Sequence, residues 1–123
     1  MNIQIYGKSK CFDTKKAERF FSERKIVCQH IEILRYGLKP RELEQVLRAV
    51  GGCEALMDPR SRAYEKLYVA YQSRTSEELI ELLMEHFDLY RTPIVRCGKF
   101  ATVGYCPDEW KRWLEADAQA KRQ

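Results

Sequence analysis

Five cysteines are the residues of this sequence best suited to covalent chemistry. They contain no Cys-x-x-Cys pair and stand at positions 11, 28, 53, 97 and 106. Their odd number and uneven spacing argue against a disulfide scaffold and against the usual zinc motifs. A chain of 123 residues can bury a core without covalent crosslinks. We therefore expect free thiols in a reducing, cytoplasmic setting.

Cys11 has the sequence context of a reactive thiolate. It follows a β-prone segment, residues 2–6, and precedes a helical pattern that begins at about Phe12. Unpaired backbone N–H groups and the positive end of the dipole at a helix start stabilise an anion, which lowers the pKa of a thiol. Four cations lie within five residues of it: Lys8, Lys10, Lys15 and Lys16. The hypothesis is a nucleophilic thiolate, and the alternative is an inert, half-buried cysteine.

No second cysteine can form a local disulfide with Cys11, because Thr14 occupies the three-residue step. Cys11 would react as a monothiol, and its adduct would be resolved by another cysteine or by an external thiol. Cys106 is the internal candidate, since it precedes Pro107 at a predicted helix start and would share the favourable dipole. The alternative for Cys106 is a residue that only begins the helix. We expect the external route, because a last strand at the sheet edge would hold the two Cα atoms beyond the ~7 Å that a disulfide tolerates.

The first third of the chain predicts a β-α-β unit that would position Cys11. Residues 2–6 alternate polar and apolar types like a strand, and residues 12–25 carry an apolar stripe at helical spacing. Residues 27–34 alternate again and predict a second strand, with Ile31 and Ile33 on one face. A crossover of this length places two strands parallel.

The rest of the chain predicts three helices, a hairpin and a last helix. The three helical patterns cover residues 43–50, 61–71 and 75–87. Two β-prone runs, residues 94–95 and 101–103, flank a turn at Gly98, and the last helix begins at Pro107. The polar tail, residues 118–123, is expected to fray. This order predicts an α/β fold of thioredoxin-like type, with one mixed four-stranded sheet between helices.

Composition and charge exclude several classes of function. No apolar run approaches the roughly 18 residues that span a bilayer, and the first residues lack the pattern of a signal peptide, so we expect no membrane association. Residues 1–50 hold 11 Lys and Arg against 6 Asp and Glu, whereas residues 51–123 hold 11 against 12. No basic block is dense enough to predict direct nucleic-acid binding, so a small anion is the better expectation.

Four segments in the right order resemble the arsenate reductase-related (ArsC/Spx-type) family. They are Ile5–Cys11, Arg60–Tyr64, Thr92–Val95 and Val103–Trp110, within a match that extends to about residue 115. The resemblance implies a thioredoxin- or glutaredoxin-like fold with a helical insertion in the middle. We accordingly predict a single domain over residues 1–117, with the insertion at about 38–88.

The resemblance also implies site residues. In the glutaredoxin-coupled arsenate reductases of the family, a cysteine that corresponds to Cys11 attacks arsenate, and three arginines hold the oxyanion. Arg60 lies two residues beyond the first of these positions, which is Asp58 here. Arg91 is displaced by one residue from the second position. The third position is Cys106. We therefore expect arsenate to be a poor substrate.

Further contacts with the substrate are predicted around the Thr92-Pro93 dipeptide. The resemblance implies that Thr92-Pro93 is a cis peptide beside the active cysteine. Lys10, Arg60 and Arg91 are expected to contact the anion, since arginine binds carboxylates and oxyanions in bidentate fashion. The alternative for both arginines is a solvated surface position.

The resulting hypothesis is a cytoplasmic thiol-dependent oxidoreductase of the arsenate reductase-like, glutaredoxin-type class. The Cys11 thiolate would attack an oxyanion or a disulfide, and glutathione, glutaredoxin or thioredoxin would resolve the adduct. No bound cofactor or metal is expected. The alternative is a non-enzymatic regulator that binds RNA polymerase, as the Spx-type members do. Cys28 and His30 are interpreted as ordinary strand residues, and nothing assigns a role to Cys53 or Cys97.

Overall fold

The computed structural model describes residues 2–122, and its core is a four-stranded sheet with helices on both faces. The strands are β1 (Ile3–Gly7), β2 (Cys28–Glu32), β3 (Ile94–Cys97) and β4 (Phe100–Val103). The helices are α1 (Phe12–Glu23), α2 (Ile33–Tyr36), α3 (Pro40–Val50), α4 (Arg62–Lys66), α5 (Ser76–Glu85) and α6 (Pro107–Arg122). Two short 3-10 helices cover Glu54–Leu56 and Phe87–Leu89.

The sheet has the strand order β2-β1-β3-β4 and is mixed, as the sequence predicts. β1 pairs in parallel with β2, and Ile5 lies opposite His30. β1 pairs antiparallel with β3, and the hairpin from β3 to β4 turns at Gly98, whose φ of +60° suits a glycine. The predicted fold class is confirmed, and β4 lies at an edge of the sheet.

Alternate residues of β1 supply two separate apolar cores. Ile3 and Ile5 pack with α1 and α6 on one face, against Phe21 and Trp110. Tyr6 faces the other side and packs with the helical insertion. The indole N–H of Trp110 donates to the hydroxyl of Thr102 at 2.8 Å, which ties α6 to β4. The two cores fix the sheet between helices and hold both ends of β1 rigid.

Two of the predicted elements differ in length from those observed. The second strand ends at Glu32, and Ile33 begins the short helix α2 instead of continuing the alternation. α2 in turn ends at Gly37, whose φ is +59° and where a Cβ atom would lie 2.4 Å from the ring of Phe87. The helix predicted over residues 61–71 is also shorter, since α4 ends at Lys66 and Tyr68 adopts a positive φ of 53°.

The last helix continues to Arg122, through most of the segment for which we predict fraying. An ion pair of 3.2 Å between Lys121 and Asp117 supports its final turn. Fraying concerns opening in solution and stays a prediction, and Gln123 lies outside the described residues. Within residues 2–122, no helix is both long and apolar enough to cross a membrane.

Candidate active site

The sulfur of Cys11 is positioned by a tight turn between β1 and α1. The backbone N–H of Cys11 donates to the carbonyl oxygen of Lys8 at 3.0 Å, which closes the turn. Its own carbonyl accepts from the N–H of Lys15 at 3.2 Å, so Cys11 is the N-cap residue of α1. The predicted position of this cysteine at a helix start is confirmed.

The local hydrogen-bond donors favour the thiolate form of Cys11. Burial raises the pKa of the thiol, but hydrogen bonds from the side chains of Thr14 and Thr92 and from the N–H groups of Thr14 and Asp13 outweigh it, so the pKa lies below its ordinary value. The thiol form instead donates to the carbonyl oxygen of Thr92, with 3.6 Å between Sγ and O. The Thr14 hydroxyl is buried without a partner in this thiol form. It is therefore available to donate to an ionised sulfur.

The nearby lysines do not cause this lowered pKa, which corrects the expectation from sequence. Lys8 is turned toward the 3-10 helix before β3, where its ammonium group donates to the carbonyl oxygen of Asp88 at 3.0 Å. Lys10, Lys15 and Lys16 are exposed to solvent. None of the four is among the leading causes of the shift at Cys11, which are burial and hydrogen bonds.

A groove of about 500 Å³ opens at the Cys11 sulfur. Its walls come from the start of α1, the segment before α4 and the segment before β3: Cys11, Asp13, Asp58, Pro59, Arg60, Arg91 and Thr92. The groove therefore brings Cys11, Arg60, Arg91 and Thr92 together. Asp13 and Pro59 also line the groove, and the sequence does not predict this, since neither residue type indicates chemistry by itself.

Two predicted contact residues lie outside the groove. Lys10 is exposed and is not a wall residue. Pro93 is buried and does not line the groove, and the Thr92-Pro93 peptide is cis, as the resemblance implies. The contact of this dipeptide with Cys11 comes from Thr92.

Two arginines and two aspartates line the groove, so its formal charge from these residues is zero. The N–H of Arg60 donates to a carboxylate oxygen of Asp58 at 2.9 Å, which fixes the loop. The N–H of Arg91 donates to the carbonyl oxygen of Leu56 at 2.7 Å, which joins the insertion to the entry of β3. No carboxylate among the described residues lies within 4.0 Å of either guanidinium group. Both groups are exposed and available to an incoming ligand.

Cys106 is chemically unlike Cys11 and does not line the groove. Its thiol donates to the carbonyl oxygen of Val103, with 3.4 Å between Sγ and O. Burial and the carboxylate of Glu109 raise its pKa above the ordinary value, although Thr102 and Arg91 act in the opposite direction. The position of Cys106 at a helix start therefore does not give it a lowered pKa, and its part as a resolving residue stays a prediction.

The remaining cysteines are also protonated thiols. Burial and the carboxylate of Glu18 raise the pKa of Cys28 to about 11. Burial likewise raises the pKa of Cys53 and of Cys97. No cluster of side chains suited to a metal ion occurs within residues 2–122. Cys11 is thus the one thiol of the five whose pKa is lowered.

Comparisons with known proteins find relatives of this chain both in sequence and in structure. The model of the ArsC family matches residues 6–113. The global transcriptional regulator Spx 2 of Oceanobacillus iheyensis is 33% identical over 115 residues, which cover 93% of this chain and 84% of that protein. The global transcriptional regulator Spx of Bacillus subtilis is 31% identical over 113 residues, or 91% of this chain and 86% of that protein.

Two solved structures share the fold. A protein from Bacteroides fragilis described as ArsC family related superposes with a TM-score of 0.83 at 23% identity, over 91% of this chain and 97% of that one. The arsenate reductase of Vibrio cholerae superposes with a TM-score of 0.78 at 24% identity, over 89% of this chain and 94% of that one. At these identities the two likenesses show the architecture alone.

Proposed function

This chain belongs to the ArsC family, and from that premise we propose that it is a thiol-dependent oxidoreductase whose nucleophile is Cys11. The observation that carries the proposal is the contrast among the five thiols. Only the sulfur of Cys11 combines a lowered pKa with a position in an open groove. A thiolate is the attacking form in thiol-disulfide exchange, so the other cysteines are poorer nucleophiles near neutral pH.

The proposed reaction is a two-step exchange. The Cys11 thiolate attacks one sulfur of a disulfide substrate, a mixed disulfide with Cys11 forms, and the second sulfur leaves as a thiolate. An external thiol such as glutathione, or the thiol of glutaredoxin or thioredoxin, then attacks that mixed disulfide and releases Cys11. That external thiol leaves joined by a disulfide to the retained half of the substrate, so each turnover exchanges one disulfide for another and releases one thiol. This chemistry requires no bound cofactor, and it fits the reducing conditions of the cytoplasm, where we place the protein.

The charges of the groove favour a disulfide over a compact oxyanion. Arg60 and Arg91 can each bind a carboxylate of a peptide-like thiol through charge-assisted hydrogen bonds. Asp13 and Asp58 lie in the same groove and would repel an anion with several negative charges close together. A thiol peptide that carries an amino group and carboxylates finds complementary partners for both.

The decisive test measures how fast the Cys11→Ser variant reduces a glutathione mixed disulfide. The assay is run once with glutaredoxin and once with thioredoxin as the reducing partner. We expect turnover to fall at least about a thousandfold, because the nucleophile of a covalent mechanism is lost. The matched control is Cys97→Ser, which removes a thiol outside the groove and should retain turnover. Full activity of the Cys11→Ser variant would refute the proposal.

Arsenate serves as the second substrate in the same assay. Asp58 stands where the related reductases place an arginine, so each lost charge-assisted contact should cost about 1.5–3 kcal/mol of oxyanion binding. We expect arsenate reduction to be much slower than that of an authentic arsenate reductase under the same coupling system. Equal rates would show that Arg60 and Arg91 compensate for the substitution.

A second candidate function is transcriptional regulation, which is supported by the two relatives named as global regulators. In this case the partner would be RNA polymerase, and Cys11 would modulate binding without turnover. Copurification of RNA polymerase with the wild-type chain and with Cys11→Ser separates the two candidates. Stable copurification together with absent turnover in the coupled assay would favour the regulator.

A further inference from the structure

A second groove, of about 420 Å³, lies between α1 and the start of α6 and shares no residue with the Cys11 groove. Four of its lining residues are cations, and they surround the single carboxylate of Glu23: Lys16, Arg19, Arg24 and Lys111. We refer to these residues, with the rings of Phe20 and Tyr105, as the basic groove. Its formal charge is +3, from four cations and one anion.

These four cations are not neutralised within the protein. No carboxylate among residues 2–122 lies within 4.0 Å of any of them, whereas Arg96 pairs with Glu42 at 3.3 Å and Arg112 pairs with Glu109. Arg24 lies just beyond the end of α1 and is held by the fold, since its guanidinium group donates to the carbonyl oxygen of Phe20 at 3.0 Å. Lys16 and Arg19 form a short stripe on one face of α1, and neither they nor Lys111 has an ion pair among residues 2–122.

The three remaining cations suit a ligand with several charges better than a single ion. Lys16 and Arg19 are about 4.5 Å apart along the axis of α1, at 1.5 Å per residue. Lys111 adds a cation from α6 to the same groove. A ligand that meets all three must therefore carry several negative charges.

The aromatic side chains of the groove distinguish between two kinds of polyanion. The guanidinium group of Arg24 lies 3.8 Å from the centre of the Phe20 ring, and the ammonium group of Lys16 lies 5.5 Å from that of Tyr105. Single-stranded nucleic acids bind through bases that stack on open ring faces. Here the Phe20 ring is buried beneath Arg24 and the Tyr105 ring has Lys16 over it, so neither offers an open face to a base.

We infer that the basic groove binds an acidic segment of a partner protein. Carboxylates of that segment would pair with Lys16, Arg19 and Lys111, and an apolar side chain would contact the exposed edge of Tyr105, which is 44% exposed. The carboxylate of Glu23 would accept a backbone N–H of the same segment. This docking surface is independent of the chemistry at Cys11, so it holds whether the chain acts as an oxidoreductase or as a regulator.

The test uses a fluorescein-labelled peptide that alternates Glu with Leu, titrated with the full chain at low and at physiological salt. The groove variant combines Lys16→Gln, Arg19→Gln and Lys111→Gln. The control variant makes the same change in charge at exposed sites elsewhere, through Arg41→Gln, Lys66→Gln and Lys99→Gln. We expect the groove variant to bind the peptide about tenfold more weakly, since each exposed pair contributes a few-fold. The control variant should change the affinity less than about twofold.

Equal weakening in the two variants would overturn the inference, because the peptide would then respond only to net charge. A single-stranded oligothymidylate of the same charge as the peptide is the competing probe. Tighter binding of the oligothymidylate than of the peptide would replace the protein partner with a nucleic acid and would also overturn the inference. Circular dichroism of the groove variant verifies that its helices are intact, which is expected because all three positions are exposed.

Discussion

The starts of α1 and α6 have similar backbone contacts but differ in the pKa of the cysteine that precedes each helix. Each helix is preceded by a half-buried cysteine, Cys11 in one case and Cys106 in the other. Each cysteine carbonyl accepts the first hydrogen bond of its helix, from Lys15 or from Trp110, and both bonds are 3.2 Å long. The pKa of the thiol is nevertheless lowered at α1 and raised at α6.

The difference lies three residues into each helix. At α1 this position is Thr14, whose hydroxyl and N–H both stabilise a Cys11 thiolate. At α6 it is Glu109, whose carboxylate destabilises a thiolate at Cys106. The dipole of a helix is shared by both sites, so it does not by itself create a reactive cysteine. The specific donors around the sulfur decide which thiol ionises.

The largest expected effect is a contrast in alkylation rate between these two cysteines. Iodoacetamide should modify Cys11 several times faster than Cys106 near neutral pH, because only the thiolate reacts. The rate should be followed by mass spectrometry of the peptides across a pH series. The midpoint for Cys11 should lie below the ordinary thiol pKa of ~8.5 and that for Cys106 above it. Equal midpoints would remove the distinction between the two helix starts.

Mild oxidation tests whether the two cysteines act together. Cys106 follows the edge strand β4 and does not line the Cys11 groove. We therefore predict that oxidation in the presence of glutathione yields Cys11 bound to glutathione as the main product, and peptide mapping without reductant detects it. A dominant crosslink between Cys11 and Cys106 would instead show an internal relay, with Cys106 as the resolving residue.

A smaller effect is expected from removing one donor at the start of α1. Thr14→Val keeps the shape of the side chain. This shape matters because Thr14 packs closely against Gly7, where an added Cβ atom would lie only 2.2 Å from the Thr14 methyl group. The lost hydroxyl should raise the pKa of Cys11 and slow its alkylation severalfold at neutral pH. Thr14→Ser retains a hydroxyl and is the matched control. An unchanged rate in Thr14→Val would assign the lowered pKa to Thr92 and the backbone N–H groups, without a part for the Thr14 hydroxyl.

The sequence predicted the fold and the place of Cys11 at a helix start because both depend on local patterns. Alternation marked β1, helical spacing marked α1, and the junction of the two placed Cys11 at an N-cap position. The short helix α2 was not predictable in this way: its end at Gly37 packs against Phe87, about fifty residues away along the chain.

The environment of each thiol was only partly predictable, for the same physical reason. The contact between Cys11 and Thr92 joins residues 81 positions apart, and only a structure brings them together. Lys8 is close to Cys11 in sequence, but the fold turns its side chain toward Asp88. Glu109 lies only three residues from Cys106 in the sequence, and its carboxylate raises the pKa of that thiol, because a carboxylate and a thiolate repel each other.

The smallest expected effect is on stability, and its dependence on pH has opposite signs at the two helix starts. For Cys11, the pKa of the folded state lies below that of the unfolded state. Between those two values the unfolded chain holds more protons, so the free energy of unfolding rises with pH. This contribution is present above the unfolded pKa and is lost as pH falls through the folded pKa. For Cys106 the order of the pKa values is reversed. Its contribution is therefore present below the unfolded pKa and is lost as pH rises through the folded pKa.

Urea unfolding of the wild type, Cys11→Ser and Cys106→Ser, under reducing conditions between about pH 6 and pH 10, measures both contributions around the ordinary thiol pKa. The stability of the wild type relative to Cys11→Ser should increase across the lower part of this range. Its stability relative to Cys106→Ser should decrease in the upper part. Because serine does not titrate here, each difference isolates one thiol. Two difference curves with the same slope would contradict the assignment of opposite donor environments to the two helix starts.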